Sequence, residues 1–154
     1  MKFRHRSFVG IGLTLFVGSF FLMAVGDLGK GSPMPGYLCA RMALLLPWGP
    51  NLFGHQGLFE DKFLAYLGVL LSGWINPTFL VAALFVFLRP SARTTRALAI
   101  ATLAMIPFCW VVFFYYDMYP REGHVVWIAG MLLVLSEALS PQIRPALRRT
   151  TVAV

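Results

Sequence analysis

The sequence predicts an all-α polytopic membrane protein. It has four transmembrane helices, both termini inside, and a long external loop that carries a short interfacial helix. Three observations predict this. Of 154 residues, 58% are hydrophobic and only 12% are charged, about half the roughly 25% charged share of soluble domains. Mean hydropathy is +0.74. Four apolar runs approach the roughly 20 residues that a bilayer crossing needs, and the basic residues cluster beside them in alternation. A soluble globular domain and a disordered chain are excluded by this composition. Two cysteines are too few for a disulfide-stapled scaffold.

The first run, 7–26, contains no charge. Its basic start (Lys2, Arg4, Arg6) and its Ala24-Val25-Gly26 have the outline of a signal peptide. The apolar run exceeds the roughly 7–15 residues of a signal core, so a retained helix is expected. The second run, 63–88, is interrupted by Asn76-Pro77, and the third, 97–116, contains Pro107. Proline inside a helix removes a backbone donor and crowds the preceding turn, so a kink is expected at Pro77 and at Pro107. The fourth run, 124–139, is the shortest and must draw on its flanks to cross. The external loop, 27–62, holds Pro33, Pro35, Pro47 and Pro50. The stretch from Tyr37 to Leu46 between them is rich in Leu, Ala and Met. These are strong helix formers, so a short interfacial helix is expected there. The tail, 140–154, carries Pro141, Pro145 and three arginines. All of this forms one transmembrane domain.

Charge sets the orientation. With the N-terminus inside, the inner segments hold Lys2, Arg4 and Arg6, then Arg89, Arg93 and Arg96, then Arg144, Arg148 and Arg149. The outer segments hold Lys30, Arg41, Lys62 and Arg121, among most of the acidic residues. The positive-inside rule therefore places both termini in the cytoplasm. The net charge of +7 is explained as orientation and contact with anionic lipid. Nucleic acid is not an expected partner, because the basic clusters lack the interleaved aromatics of a nucleic-acid surface.

Helices in lipid associate through close packing and polar contacts. Gly10, Thr14 and Gly18 on the first helix, and Gly68, Ser72 and Asn76 on the second, recur every four residues. These two stripes are expected to face the interior, with each other as one candidate partner. The tryptophans and tyrosines fall in the outer half of this topology. Trp48, Trp74, Trp110, Tyr115, Tyr116, Tyr119 and Trp127 form a candidate outer aromatic face, either an interfacial belt or a surface for a partner helix, a quinone-like ring or a pigment.

Chemistry inside the membrane is sparse. Glu137 is the one acidic residue within an expected span, so no midplane carboxylate marks a proton path. His5, His55 and His124 form no pair across the core for haem, and no metal-ligand motif is present. Cys39, in the loop, and Cys109, in the third span, are expected at different depths and unpaired. No catalytic residues and no cofactor are expected. Trp74-Ile-Asn-Pro77, the basic turn Arg89 to Arg96, and Gly123-His-Val-Val-Trp127 with Met131 resemble a pattern in small uncharacterised bacterial four-helix inner-membrane proteins. The resemblance covers the chain from the second span onward. It implies a bacterial inner membrane and the topology above, and it implies no activity. The expectation is a non-catalytic membrane subunit or interaction protein, partnered by lipid and by other membrane subunits or itself. The alternatives are a small oligomeric transporter or pore, and a membrane enzyme or cofactor-binding subunit that uses the outer polar and aromatic cluster.

Overall fold

The computed structural model describes residues 2–27, 33–45, 63–88, 92–115 and 117–139. Five helices dominate: α1 (Lys2–Ser19), α2 (Gly36–Leu45), α3 (Phe63–Leu88), α4 (Arg93–Tyr115) and α5 (Glu122–Leu139). Three short strands interrupt them: β1 (Met23–Asp27), β2 (Met34–Pro35) and β3 (Met118–Pro120). The expected all-α fold thus acquires a small antiparallel sheet, in the order β2-β1-β3.

Three helices are long and apolar enough to cross a membrane: α3 over Leu67–Leu88, α4 over Arg93–Phe114, and α5 over Glu122–Leu139. The apolar part of α1, Ser7–Ser19, is shorter. The first helix was expected to run to residue 26. It stops at Ser19 because its last turns tighten: the N–H groups of Phe20, Phe21 and Leu22 each donate to a carbonyl three residues back, the usual way a helix end meets its orphan groups. The chain then extends, and Val25 pairs with Met34 on one side and Pro120 on the other. Two carbonyls at this end accept from the start of α2, Leu22 from Gly36 N–H and Phe20 from Tyr37 N–H, both at 2.9 Å. The negative end of one helix dipole therefore abuts the positive end of another.

The expected run 63–88 is α3 at both ends, and the later helices start two to four residues early. α4 begins at Arg93 rather than 97, and α5 at Glu122 rather than 124. The Arg121 carbonyl accepts from the N–H of His124 and Val125, and its own N–H bonds the Ala24 carbonyl at 2.9 Å. The start of α5 is thereby tied to β1. Both prolines lie within continuous helices.

The helices form two antiparallel pairs, α1 with α5 and α3 with α4. The first pair meets at Gly12 and Gly130. A Cβ on Gly12 would lie 2.8 Å from the Gly130 carbonyl oxygen, and one on Gly130 would lie 2.6 Å from the Phe16 nitrogen. Only glycine allows the two backbones this close. The pairs join through a shared core in which Phe79 and Ile75 of α3 and Met131, Val134 and Leu135 of α5 are fully buried. The Phe16 ring lies 4.4 Å from that of Phe79. α2 docks on α3 at Gly73, where a side chain would collide with the Ala43 backbone.

Candidate functional site

The segment 19–26 turns away from its helix, and α2 folds back over α3. Between them a chamber is left at the sheet end of the bundle. Its volume is about 440 Å³, within the roughly 300–1,000 Å³ typical of small-molecule sites. Its walls come from α2 (Cys39, Ala40, Ala43), α3 (Val69, Ser72, Asn76), α4 (Cys109, Val112, Phe113), α5 (His124, Trp127) and the strands (Val25, Met118).

The polar groups in these walls are few, and nearly all are engaged within the protein. Ser19 Oγ donates to the Phe16 carbonyl at 2.6 Å and Ser72 Oγ to the Val69 carbonyl at 2.9 Å. Trp127 Nε1 donates to Asn76 Oδ1 at 2.9 Å, which ties α5 to α3. His124 is the exception. It is 6% exposed, and its Nε2 is, among the described residues, the buried side-chain nitrogen or oxygen without a hydrogen-bond partner. Its ring is held between aromatic neighbours. The Phe113 centroid lies 4.8 Å away at 71°, that of Trp127 5.3 Å away at 30°, and that of Trp110 6.0 Å away at 79°. A buried polar atom left unpaired costs about 1–3 kcal/mol, and this nitrogen is covered rather than open to the chamber.

Both cysteines are free and both line this chamber. α2 carries Cys39 inward against the bundle, so the thiols of α2 and α4 share one chamber. Cys39 Sγ lies 3.9 Å from the Met34 carbonyl, to which it donates. Burial pushes its thiol up to about 11, and a hydrogen bond with the backbone of Cys39 itself counters part of the effect.

The other residues singled out in the sequence are distributed as follows. Gly68 faces α4, 3.4 Å from the Phe108 carbonyl oxygen if it bore a Cβ, while Ser72 and Asn76 line the chamber. On α1 the stripe expected inside lies on the open side: nothing stands within 4 Å of a Cβ on Gly10 or Gly18, and exposed Thr14 bonds back to the Gly10 carbonyl. The inward face is Val9, Gly12, Phe16 and Ser19. Gly12 is two residues from Gly10, about 200° around a helix of 3.6 residues per turn. Pro77 supplies no N–H to the Gly73 carbonyl one turn before it, the turn on which α2 rests. Trp74 and Trp110 are exposed, Trp127 turns inward, and Tyr119 lies over Gly26 across the β1–β3 pair. The aromatics therefore do not form one outward surface. Trp48, Tyr116 and the Tyr115 side chain lie outside the described residues, as does the tail 140–154. Sequence reasoning placed His124 at the outer end of its helix but missed the chamber, whose walls come together only in three dimensions.

Among known proteins, no family model, no curated protein and no solved structure matches this chain.

Proposed function

We propose that this chain is a non-catalytic integral membrane protein that holds a small apolar molecule in the chamber between α2, α3, α4 and α5. The observation that carries this reading is the chamber itself, about 440 Å³ with largely apolar walls drawn from four helices and no Lys, Arg, Asp or Glu among its described lining residues. The protein crosses the membrane four times, with both termini in the cytoplasm of a bacterial inner membrane. Support comes from the alternating basic clusters and from α1 running antiparallel along α5 through the Gly12–Gly130 contact. On that topology the chamber lies in the outer half. α2, ten apolar-rich residues beside α3, is the interfacial helix that closes it.

A ligand that binds only the folded state raises its stability. Delipidated protein should therefore melt at a higher temperature when neutral lipid extract is restored. Ser72→Phe and Ala40→Phe, which fill the chamber from opposite walls, should abolish the gain. An equal gain in the filled variants would contradict the reading.

A second reading adds to the first. The open face of α1, with Gly10, Thr14 and Gly18, is shaped for close approach of another helix. It supports a role as a membrane subunit that packs against a larger complex or another copy. Cross-linking at Gly10→Cys in native membranes should give a discrete adduct, and none should form at Phe8→Cys.

A further inference from the structure

Resting on the reading of the chamber as a ligand site, we infer the polar group that its ligand carries: the carbonyl oxygen of a neutral ketone or ester, held by the side-chain NH2 of Asn76. The first observation is a fixed orientation. The indole N–H of Trp127 can only donate, and it donates to Asn76 Oδ1 at 2.9 Å. The amide oxygen is thereby committed to Trp127, and the NH2 end points away from that bond. Nδ2 carries two N–H donors and has no acceptor among the described residues. It also keeps open surface, since the covered side-chain nitrogen without a partner is that of His124. Asn76 lines the chamber, so oriented and unspent donors stand in its wall.

The second observation is what the other walls offer. The protons of Ser19, Ser72 and Cys39 go to the carbonyls of Phe16, Val69 and Met34. His124 does not decide the class: its Nε2 is covered, and its other ring nitrogen donates or accepts according to tautomer. A phosphate, carboxylate or ammonium head would sit among these uncharged walls desolvated and without a counter-charge, at severe cost.

The third is the difference between two neutral oxygens. A ligand hydroxyl could accept from Nδ2, but it would bring its own proton into walls of hydrocarbon and sulfur such as Val69, Val112, Phe113 and Met118. An unpaired donor is penalised there. A carbonyl oxygen accepts and brings no proton, so it matches the Asn76 donors and leaves nothing unpaired.

The test uses shape-matched probes on the full chain in nanodiscs of ether-linked lipid, which contribute no carbonyl of their own. 2-Undecanone is compared with 2-methylundec-1-ene, in which a CH2 group replaces the oxygen, and with 2-undecanol, each corrected for partition into empty discs. The ketone should bind the wild-type protein about tenfold more tightly than the alkene, the equivalent of one buried hydrogen bond, with the alcohol between them. The infrared carbonyl band of the bound ketone should fall below its position in empty discs. Asn76→Leu should erase both the ratio and the band shift and leave alkene binding in place. Trp127→Phe frees the amide to turn and should narrow the gap between ketone and alcohol. The wild-type ratio and band need no variant, so the inference stays testable if either variant fails to fold. Repeating the ketone titration in ester-linked discs separates two sources of the same chemistry: weakened binding supports a lipid ester as the occupant, and unchanged binding supports a free ketone or ester. Equal binding of ketone and alkene, with an unmoved band, would overturn the inferred carbonyl while leaving the chamber a ligand site. Tightest binding of the alcohol would overturn it in favour of a donor ligand. Binding of none of the three would overturn the ligand-site reading itself.

Discussion

Trp127 of α5 donates its indole N–H to the side-chain oxygen of Asn76 on α3, across 2.9 Å. The two residues are 51 apart in the chain, yet this bond joins the two helix pairs and forms part of the chamber wall. It engages the Asn76 oxygen beside Pro77, where the helix lacks a backbone donor. Asn76→Leu should leave the indole N–H unpaired and destabilise the protein by about 1 kcal/mol, near the upper half of what interhelical hydrogen bonds contribute in membranes. A double-mutant cycle with Trp127→Phe in detergent unfolding should recover most of that loss as coupling.

Gly12 and Gly130 hold α1 against α5 with backbone in contact. Gly12→Ala and Gly130→Ala should each cost about 1–3 kcal/mol, as overpacking does. Gly10→Ala and Gly18→Ala face open space and should be neutral or slightly stabilising, since alanine is favoured over glycine in helices by roughly 0.5–1 kcal/mol. Thermal unfolding of the four variants checks the contrast.

α3 from Phe63 to Leu88 was legible in the sequence, because 26 residues without a charge fit no other element in lipid. The end of α1 was not. Residues 20–26 are apolar throughout, and such a run suits a helix or a buried strand equally. The choice is made by partners at Met34 and Pro120. The inward face of α1 was hidden for a similar reason. Gly10, Thr14 and Gly18 satisfy the small-residue spacing, whereas Gly12 is followed four positions on by Phe16. Its significance depends on Gly130, on another helix. His124 was visible as a lone histidine, but nothing local shows that Phe113 and Trp127 enclose it.

Gly73 sits where α2 rests on α3, with the Ala43 carbonyl against it. Gly73→Val should push α2 off α3 and open the chamber. Ligand binding should fall at least tenfold, while helix content by circular dichroism stays within that of the wild type. Retained binding would place the ligand elsewhere.

Cys39 keeps its proton at neutral pH, because burial raises its thiol from 9.0 to about 11. The thiolate is the nucleophile. Alkylation of Cys39 should therefore be slow at pH 7 and quicken about tenfold per pH unit up to pH 10. The sign for stability follows: a thiol whose folded value is raised favours the folded state below pH 9, and that advantage is lost as pH rises toward 11. Cys39→Ala should remove this contribution to alkaline destabilisation. Flat alkylation rates across pH 7–10 would contradict the burial of the thiol.

The central claim is that the chamber around His124 holds a small neutral molecule. Native mass spectrometry of the protein released gently from the membrane of its own host tests it most directly. The wild-type chain should carry a discrete added mass that is lost on denaturation, and Ser72→Phe and Ala40→Phe should carry none. A folded wild-type chain at its bare mass, or the same adduct on both filled variants, would contradict the claim.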